Sequence, residues 1–288
     1  MKAMNKIRLA AAAMALGTMG AAHAAVGSLP GGPQVLGVYF QNPVTPIAKD
    51  ERMLMDMMLW VCLCIGVVVF GAMFYSVFKF RKSKGAVAAH FHENTAVEIT
   101  WTVIPVLIVI AILIPATRTV IAQENKTDAF LTVKATGAQW KWGYDYLAGP
   151  GKGISFWSTL TTPYSEIYQG KDLPNNFALS VDHELVVPVD KKIKIVTTSD
   201  DVIHGFYVPS FGIQLDAIPG FIRSTWFKAE KTGTYYGQCA QICGKYHSFM
   251  PIVIKVVTMP EYEQWTAQWK KAHPGSVAPA DGAAPSST

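Results

Sequence analysis

Charge is scarce in this sequence, and from two stretches it is missing altogether. Only 16% of the 288 residues are Asp, Glu, Lys or Arg, against about 25% in ordinary soluble domains. Half of the residues are hydrophobic and the mean hydropathy is +0.23, which excludes a purely soluble chain and points to membrane segments joined to one folded domain. Residues 57–78, "MMLWVCLCIGVVVFGAMFYSVF", and residues 99–117, "ITWTVIPVLIVIAILIPAT", hold no charged side chain. Each reaches the roughly 20 residues that a helix needs to cross the hydrocarbon core. Cysteine is scarce as well, with four in the chain and no C-x-x-C-H, so a covalently attached c-type haem is excluded. Cys62 and Cys64 stand two apart on an expected helix, point to different sides, and read as apolar filling. An excess of positive charge is missing too. The formal net charge of +5 includes Lys2, Lys6 and Arg8 near the start, and residues 122–288 hold 15 basic and 15 acidic side chains. That balance excludes a nucleic-acid partner.

What is present at the N-terminus is the pattern of a cleaved secretory signal. "MKAMNKIRLAAAAMALGTMGAAHA" has a basic start, a short apolar run and a small-x-small ending at Ala22, His23 and Ala24, so the signal is read as 1–24 and the mature chain as starting near Ala25. Residues 25–52 are then an exported segment, and 53–121 a transmembrane hairpin with helices at about 55–79 and 97–119. The connection 80–96, with the end of the first helix, carries Lys79, Arg81, Lys82 and Lys84 against Glu93 and Glu98. Basic excess in a short loop assigns it to the cytoplasm and both flanks to the outside.

From about residue 122 the sequence reads as β structure. "FLTVKAT", "QWKWGYDYL", "KIKIVTT", "IHGFYVP", "RSTWFKA", "GTYYGQC" and "MPIVIKVVT" are short, rich in β-branched and aromatic residues, and bounded by Gly, Pro, Asn and Asp turns, as in a sandwich or barrel. One helix closes this domain, 122–273. Thr258 with Glu261 forms a capping box, Pro260 suits the first turn, and Trp265 and Trp269 share a face. Residues 274–288 are Pro, Ala and Ser rich and are expected to be a disordered tail. Asp145, Asp172, Asp182, Glu184, Asp200 and Asp201 lie near the aromatic and His-bearing segments, a distribution that suits a basic protein partner or a plain solvated surface.

The most informative segment is "CAQICGKYHSFM". Cys239, Cys243, His247 and Met250 offer two thiolates, an imidazole and a thioether, and this soft set favours copper over hard cations. His204, 35 residues earlier, offers a second imidazole. Three other readings compete: a Cys239–Cys243 disulfide, a structural Cys2His2 zinc site, and Met250 as core filling. A mononuclear blue-copper site takes one Cys, two His and a weak Met, so the second cysteine is one thiolate too many. Two sulfurs can instead bridge two copper ions, each with one His and one weak ligand: Met250 for one and the Gln241 backbone carbonyl for the other. Sharing one electron over two metals leaves little to reorganise, which suits a relay with no open substrate position.

"CAQICGKYHSFMP", with "SDDVIHGFYVPSFGIQLDAIPG", "GAQWKWGYDY" and "HENTAVEITWTVIP", resembles subunit II of the haem-copper cytochrome c oxidases over about residues 35–270. The resemblance implies a membrane-anchored all-β chain: a two-helix hairpin followed by an exported cupredoxin-like β-sandwich with a C-terminal helix. It implies a dinuclear CuA centre on His204, Cys239, Gln241, Cys243, His247 and Met250. That centre takes electrons from cytochrome c and passes them to haem a in subunit I, where oxygen is reduced and protons are pumped. It also implies a bacterial inner membrane with both termini and the β domain periplasmic, and subunits I and III as partners. Residue by residue, Trp140 matches the family's point of electron uptake, Asp145 and Asp201 match acidic docking positions, and Glu98 matches the mouth of a proton pathway. Gln241 departs from the family's usual glutamate, whose carboxylate reaches a magnesium ion at the subunit I boundary. A weakened magnesium site is therefore implied, with Asp216 the remaining carboxylate. Three further classes stay in view: a quinol oxidase subunit, which lacks the copper ligands; nitrous oxide reductase, whose large catalytic domain has no room here; and a zinc-stabilised assembly subunit.

Overall fold

In the computed structural model the described residues are 29–34, 37–90, 92–169, 173 and 176–274. The signal segment 1–24, Asp172 and all but the first residue of the 274–288 tail lie outside them. The chain forms two compact units, one of residues 49–125 and one of residues 126–288 together with the segment ending at Ala48.

The first unit is helical. Helix α1 spans Pro46–Lys79 and α2 spans Thr95–Glu124, and both are long and apolar enough to cross a membrane. α1 therefore begins well before the expected residue 55. Its N-terminus is capped by Thr45, whose Oγ1 accepts a hydrogen bond from Ala48 N at 3.0 Å. That serves one of the amides left without a partner at a helix start. α2 starts at Thr95 rather than 97 because Asn94 caps it, accepting from Val97 N at 3.2 Å. Glu98, in the first turn, accepts from Asn94 N at 3.4 Å, and its negative charge suits the positive end of the helix. Within this unit Gln123 Nε2 donates to Glu51 Oε1 at 2.7 Å.

The second unit is a two-layer β-sandwich with one long helix. Among the described residues its strands are β1 (Leu131–Ala138), β2 (Lys141–Ala148), β3 (Ser155–Ser158), β4 (Leu185–Pro188), β5 (Ile193–Ser199), β6 (His204–Val208), β7 (Ile213–Ala217), β8 (Arg223–Phe227), β9 (Gly233–Cys239) and β10 (Pro251–Val257), with a one-turn helix α3 at Tyr164–Ile167 and α4 at Met259–Ala272. One sheet has the order β3-β2-β1-β5-β8, the other β4-β10-β9-β6-β7. β1 with β5 and β4 with β10 run parallel, so the chain crosses between layers instead of forming plain hairpins.

Alternation builds the core. β5 buries every second residue, and β1 buries Leu131, Val133 and Ala135, as a half-buried strand does. β4 and most of β10 are buried on both faces, and α4 packs beside β4. The capping box formed by Thr258 and Glu261 starts α4. Trp265 then meets Tyr146 at 5.5 Å between ring centroids and Trp269 meets Phe156 at 4.8 Å. Tyr146 ties the layers together: its hydroxyl donates to Val186 O at 2.7 Å and accepts from Val186 N at 3.1 Å. The N-terminal segment also docks here, through Val44 N to Ser210 O at 3.0 Å and Thr45 Oγ1 to Phe211 O at 2.8 Å.

Candidate metal centre

Two strands of one sheet carry the donors to a common point. β6 begins at His204 and β9 ends at Cys239, and they are antiparallel neighbours with Phe206 opposite Cys239. The chain then turns through 240–246 and a helical turn at His247–Phe249, and re-enters the sheet at β10. The turn fits because Gly205 presents no side chain. A Cβ there would stand 2.9 Å from Gln241 N, closer than real contacts allow.

All five side chains expected as ligands gather here. His204 Nδ1 is 4.0 Å from Cys239 Sγ, the two sulfurs are 3.9 Å apart, and Cys243 Sγ is 3.6 Å from His247 Nδ1 and 3.5 Å from Met250 Sδ. The donor atoms of His204, Cys239 and Cys243 lie within 4.8 Å of one another, and all three residues are buried. The Gln241 carbonyl faces Cys239 Sγ at 3.2 Å. Both cysteines are free, with their sulfurs facing the histidine and methionine donors and not joined to each other. Met250 is 1% exposed, yet its sulfur points at a thiol rather than into hydrocarbon. Two thiols, two imidazole nitrogens facing them, a thioether and a carbonyl, with His204, Cys239, Cys243 and Met250 buried and His247 half-buried, make a donor set that fits copper.

The surroundings fix these donors. Asp201 Oδ1 meets His204 Nε2 at 2.9 Å, which leaves Nδ1 for the cluster, the arrangement by which a carboxylate sets the tautomer and aim of a ligand histidine. Asp201 also accepts from Val202 N at 2.6 Å and, through Oδ2, from Gln139 N at 2.7 Å. Gln139 reaches back with its side chain, Nε2 donating to Cys243 O at 2.8 Å. Trp142 Nε1 donates to Met250 O at 3.3 Å, and its ring packs against Phe206 at 5.3 Å. Gly137 is needed because a Cβ there would meet His204 Cδ2 at 2.7 Å.

Electrostatics separate the two thiols. Burial alone would raise both. For Cys239 the hydrogen bond with His204, the Gly205 N–H at 3.4 Å and the contacts with Gln241 and His247 win and pull it down to about 7. For Cys243 burial and the negative charge on Cys239 act together and push it up to about 12. Burial pushes His204 down, but hydrogen bonds to Cys239 and Asp201 and their charges leave it raised. Asp201 is lowered: partial burial opposes this, and the bonds from His204, Val202 and Gln139 outweigh it.

The other expected site residues fall as follows. Trp140 sits in the β1–β2 turn and packs beside the ligand loop, where a Cβ on Gly244 would be 3.1 Å from Trp140 Cζ2. Asp145 is 2.8 Å from Lys134 Nζ on the paired strand, so its charge is partly neutralised. Gln241 is exposed, and Asp216, paired with Arg223 at 3.7 Å, lies opposite Gly205 in the β6–β7 register. Gly205 thus neighbours both. Glu98 belongs to the helical unit. Gln139, Gly137, Tyr164 and Tyr246 also stand at the site and carry no local mark in the sequence, whereas the spacing of three residues between Asp201 and His204 is a signal for their pairing.

Two family models match the chain: "Cytochrome C oxidase subunit II, periplasmic domain" over residues 131–257 and "Cytochrome C oxidase subunit II, transmembrane domain" over residues 33–118. A "Probable cytochrome c oxidase subunit 2" of Rickettsia bellii (strain RML369-C) is 36% identical over 232 residues, covering 81% of this chain and 84% of the relative. A "Cytochrome c oxidase subunit 2" of Cereibacter sphaeroides is 35% identical over 251 residues, covering 83% and 82%. The crystal structure of the periplasmic domain of subunit II of cytochrome oxidase of Bradyrhizobium japonicum is 48% identical and covers 50% of this chain and 96% of that one, with a TM-score of 0.44.

Proposed function

Since this chain belongs to the family of cytochrome c oxidase subunit II, and is therefore a subunit of an oxidoreductase complex, we propose that it is the electron-accepting subunit of a respiratory oxidase. It takes electrons singly from cytochrome c and delivers them to haem a of subunit I, for oxygen reduction coupled to proton pumping. The observation that carries this reading is the convergence of Cys239, Cys243, His204, His247 and Met250 in one pocket.

In this reading the Cys239 and Cys243 thiolates, the His204 and His247 imidazoles, the Met250 thioether and the Gln241 carbonyl would hold the copper of a dinuclear centre. Copper bound there would supply storage and release of one electron at a time. The protein's task is to keep the donors still and dry. Asp201 locks the aim of His204, the Gly205 N–H bonds Cys239, and Trp142 and Phe206 seal the inner side. Donors fixed by packing and hydrogen bonds have little to reorganise when charge changes. Trp140, lying against the Gly244 backbone, is the point of electron uptake, with Asp201 and Asp145 as docking charges. The helices span the bacterial inner membrane with the 80–96 loop cytoplasmic, and both termini and the β unit periplasmic, beside subunits I and III. Glu98 marks the entrance of the proton pathway. Gln241 and Asp216 border a magnesium site that the neutral amide weakens.

Metal analysis of the purified oxidase, with absorption and electron paramagnetic resonance spectra, tests this. Two coppers assigned to this chain with a mixed-valence signature are expected; one zinc and no such signature would replace the relay by a zinc-stabilised assembly role.

A further inference from the structure

Three aromatic rings form a stack at the edge of the ligand loop, and the functional reading leaves two of them without a task. Tyr246 directly precedes His247 and meets the Trp140 indole edge-on, with centroids 4.8 Å apart and planes at 88°. Tyr164, on α3, lies flat against the Tyr246 ring at 4.1 Å and 8°. It also reaches over with its hydroxyl to donate to Trp140 O at 3.3 Å. The indole Nε1 is buried and finds no hydrogen-bond partner among the described residues. Among the described residues no hydrogen bond therefore holds the indole. Its pose depends on packing between the bare backbone of Gly244 on one side and Tyr246 on another.

We propose that Tyr246, backed by Tyr164, is the positioning residue for electron uptake: it clamps the Trp140 indole against the ligand loop at Gly244 and so sets the separation an electron must cross. This rests on the reading of Trp140 as the uptake point. The ring of Tyr246 is neither oxidised nor reduced in this role, and no bond forms or breaks. An edge-to-face pair is a favoured arrangement because the positive ring edge meets the negative face, and a 4.1 Å parallel stack behind it stops Tyr246 from swinging away. Without the clamp the indole has room to leave Gly244, and electron transfer falls steeply with distance.

The test is stopped-flow uptake of one electron from reduced cytochrome c by the assembled oxidase, run alongside the copper near-infrared band and steady-state KM. Tyr246→Ala is expected to slow uptake about tenfold, which is 1.36 kcal/mol and the size of one aromatic pair, with the copper band and KM unchanged. Tyr246→Phe keeps the ring and is expected to stay within about twofold of the native rate. Tyr164→Leu lies off the ligand loop and is expected to slow uptake about threefold with copper intact; it carries the test alone if Tyr246→Ala disturbs the neighbouring His247. Native rates in Tyr164→Leu and in any copper-loaded Tyr246→Ala protein would overturn the proposal, as would a loss confined to KM or an equal loss in Tyr246→Phe. Trp140→Phe separates this from the underlying reading. Normal uptake in Trp140→Phe removes Trp140 as the uptake point, whereas a slow Trp140→Phe protein in which Tyr246→Ala still costs its full tenfold leaves Trp140 in place and removes the clamp.

Discussion

At the scale of single residues, two aspartates with the same expected role stand in different chemical circumstances. Asp145 is held by Lys134 at 2.8 Å on a strand surface, an exposed type of pair with small consequences. Asp201 is spent inward on His204, Val202 and Gln139. Asp201→Asn is therefore expected to shift the copper spectrum and weaken copper binding about tenfold, the range for partners that orient a ligand, while Asp145→Asn leaves the spectrum alone. Titration of each variant with copper decides this, and an unchanged spectrum in Asp201→Asn would confine Asp201 to docking. Gln241 separates two jobs in another way. Its carbonyl faces Cys239 whatever its side chain is, so Gln241→Glu should keep the copper spectrum and raise Mn²⁺ or Mg²⁺ affinity in the assembled enzyme, because hard cations prefer carboxylates. Loss of the copper signal in that variant would break the argument. The donors were legible in the sequence because four of them sit in one loop at short spacing. The partners that aim and clamp them were not: Gln139 and Tyr164 come from distant positions, and only the folded sheet brings them to Cys243 and Tyr246.

At the scale of elements, the site is a junction of strand ends, and its tolerance is set by backbone approach rather than by side-chain chemistry. Gly137 on β1 faces His204 on β6, across the two layers, with no room for a methyl group. Gly137→Ala should push the His204 ring away from Cys239 and disturb one metal position, while the core, which includes Val133 and Ala135 on the same strand, stays folded. Circular dichroism near that of the native protein with a lowered copper-to-protein ratio is the expected pair of results; a full copper complement would show that His204 relaxes without cost. Neither glycine that allows the close approaches, Gly137 or Gly205, carries a mark in the sequence. The strands show the same limit. β5, β9 and β10 were readable from alternation or β-branched runs. β3 and β4 were not, being only four residues long, and neither was β7, whose strand character comes from its pairing with β6. The closing helix was legible in full because its capping box and Trp265–Trp269 spacing are local.

At the scale of the whole molecule, charge-free runs and turn-punctuated β segments made the division into a helical and a β unit legible, while sheet order was hidden, because parallel pairs such as β4 with β10 join strands far apart in sequence. That topology decides what a bound metal stabilises. His204 opens β6, Cys239 closes β9, and Met250 immediately precedes β10, so a metal held by all three ties the ends of three neighbouring strands in one sheet. Binding to the folded state alone adds about 4.1 kcal/mol when the free ligand is near 1,000 times its dissociation constant. For a β unit of this size that corresponds to a rise of roughly 10 °C in its melting temperature. The helical unit contributes none of these ligands and should keep its own transition. The gap between loaded and copper-free protein should also widen with pH. In the copper-free fold the Cys243 thiol, pushed up to about 12, keeps its proton at neutral pH, and Cys239, pulled down to about 7, keeps its proton below that value. Copper needs both thiolates, so binding releases two protons below about pH 7 and one above it, and affinity rises with pH on both sides, more steeply on the acid side. His204, raised by its thiol and carboxylate neighbours, adds a proton in the same direction at low pH. Differential scanning calorimetry of the purified oxidase with and without copper, between pH 6 and 8, measures this gap; a gap that is flat or narrows with rising pH would mean that the two thiols are not the groups that bind.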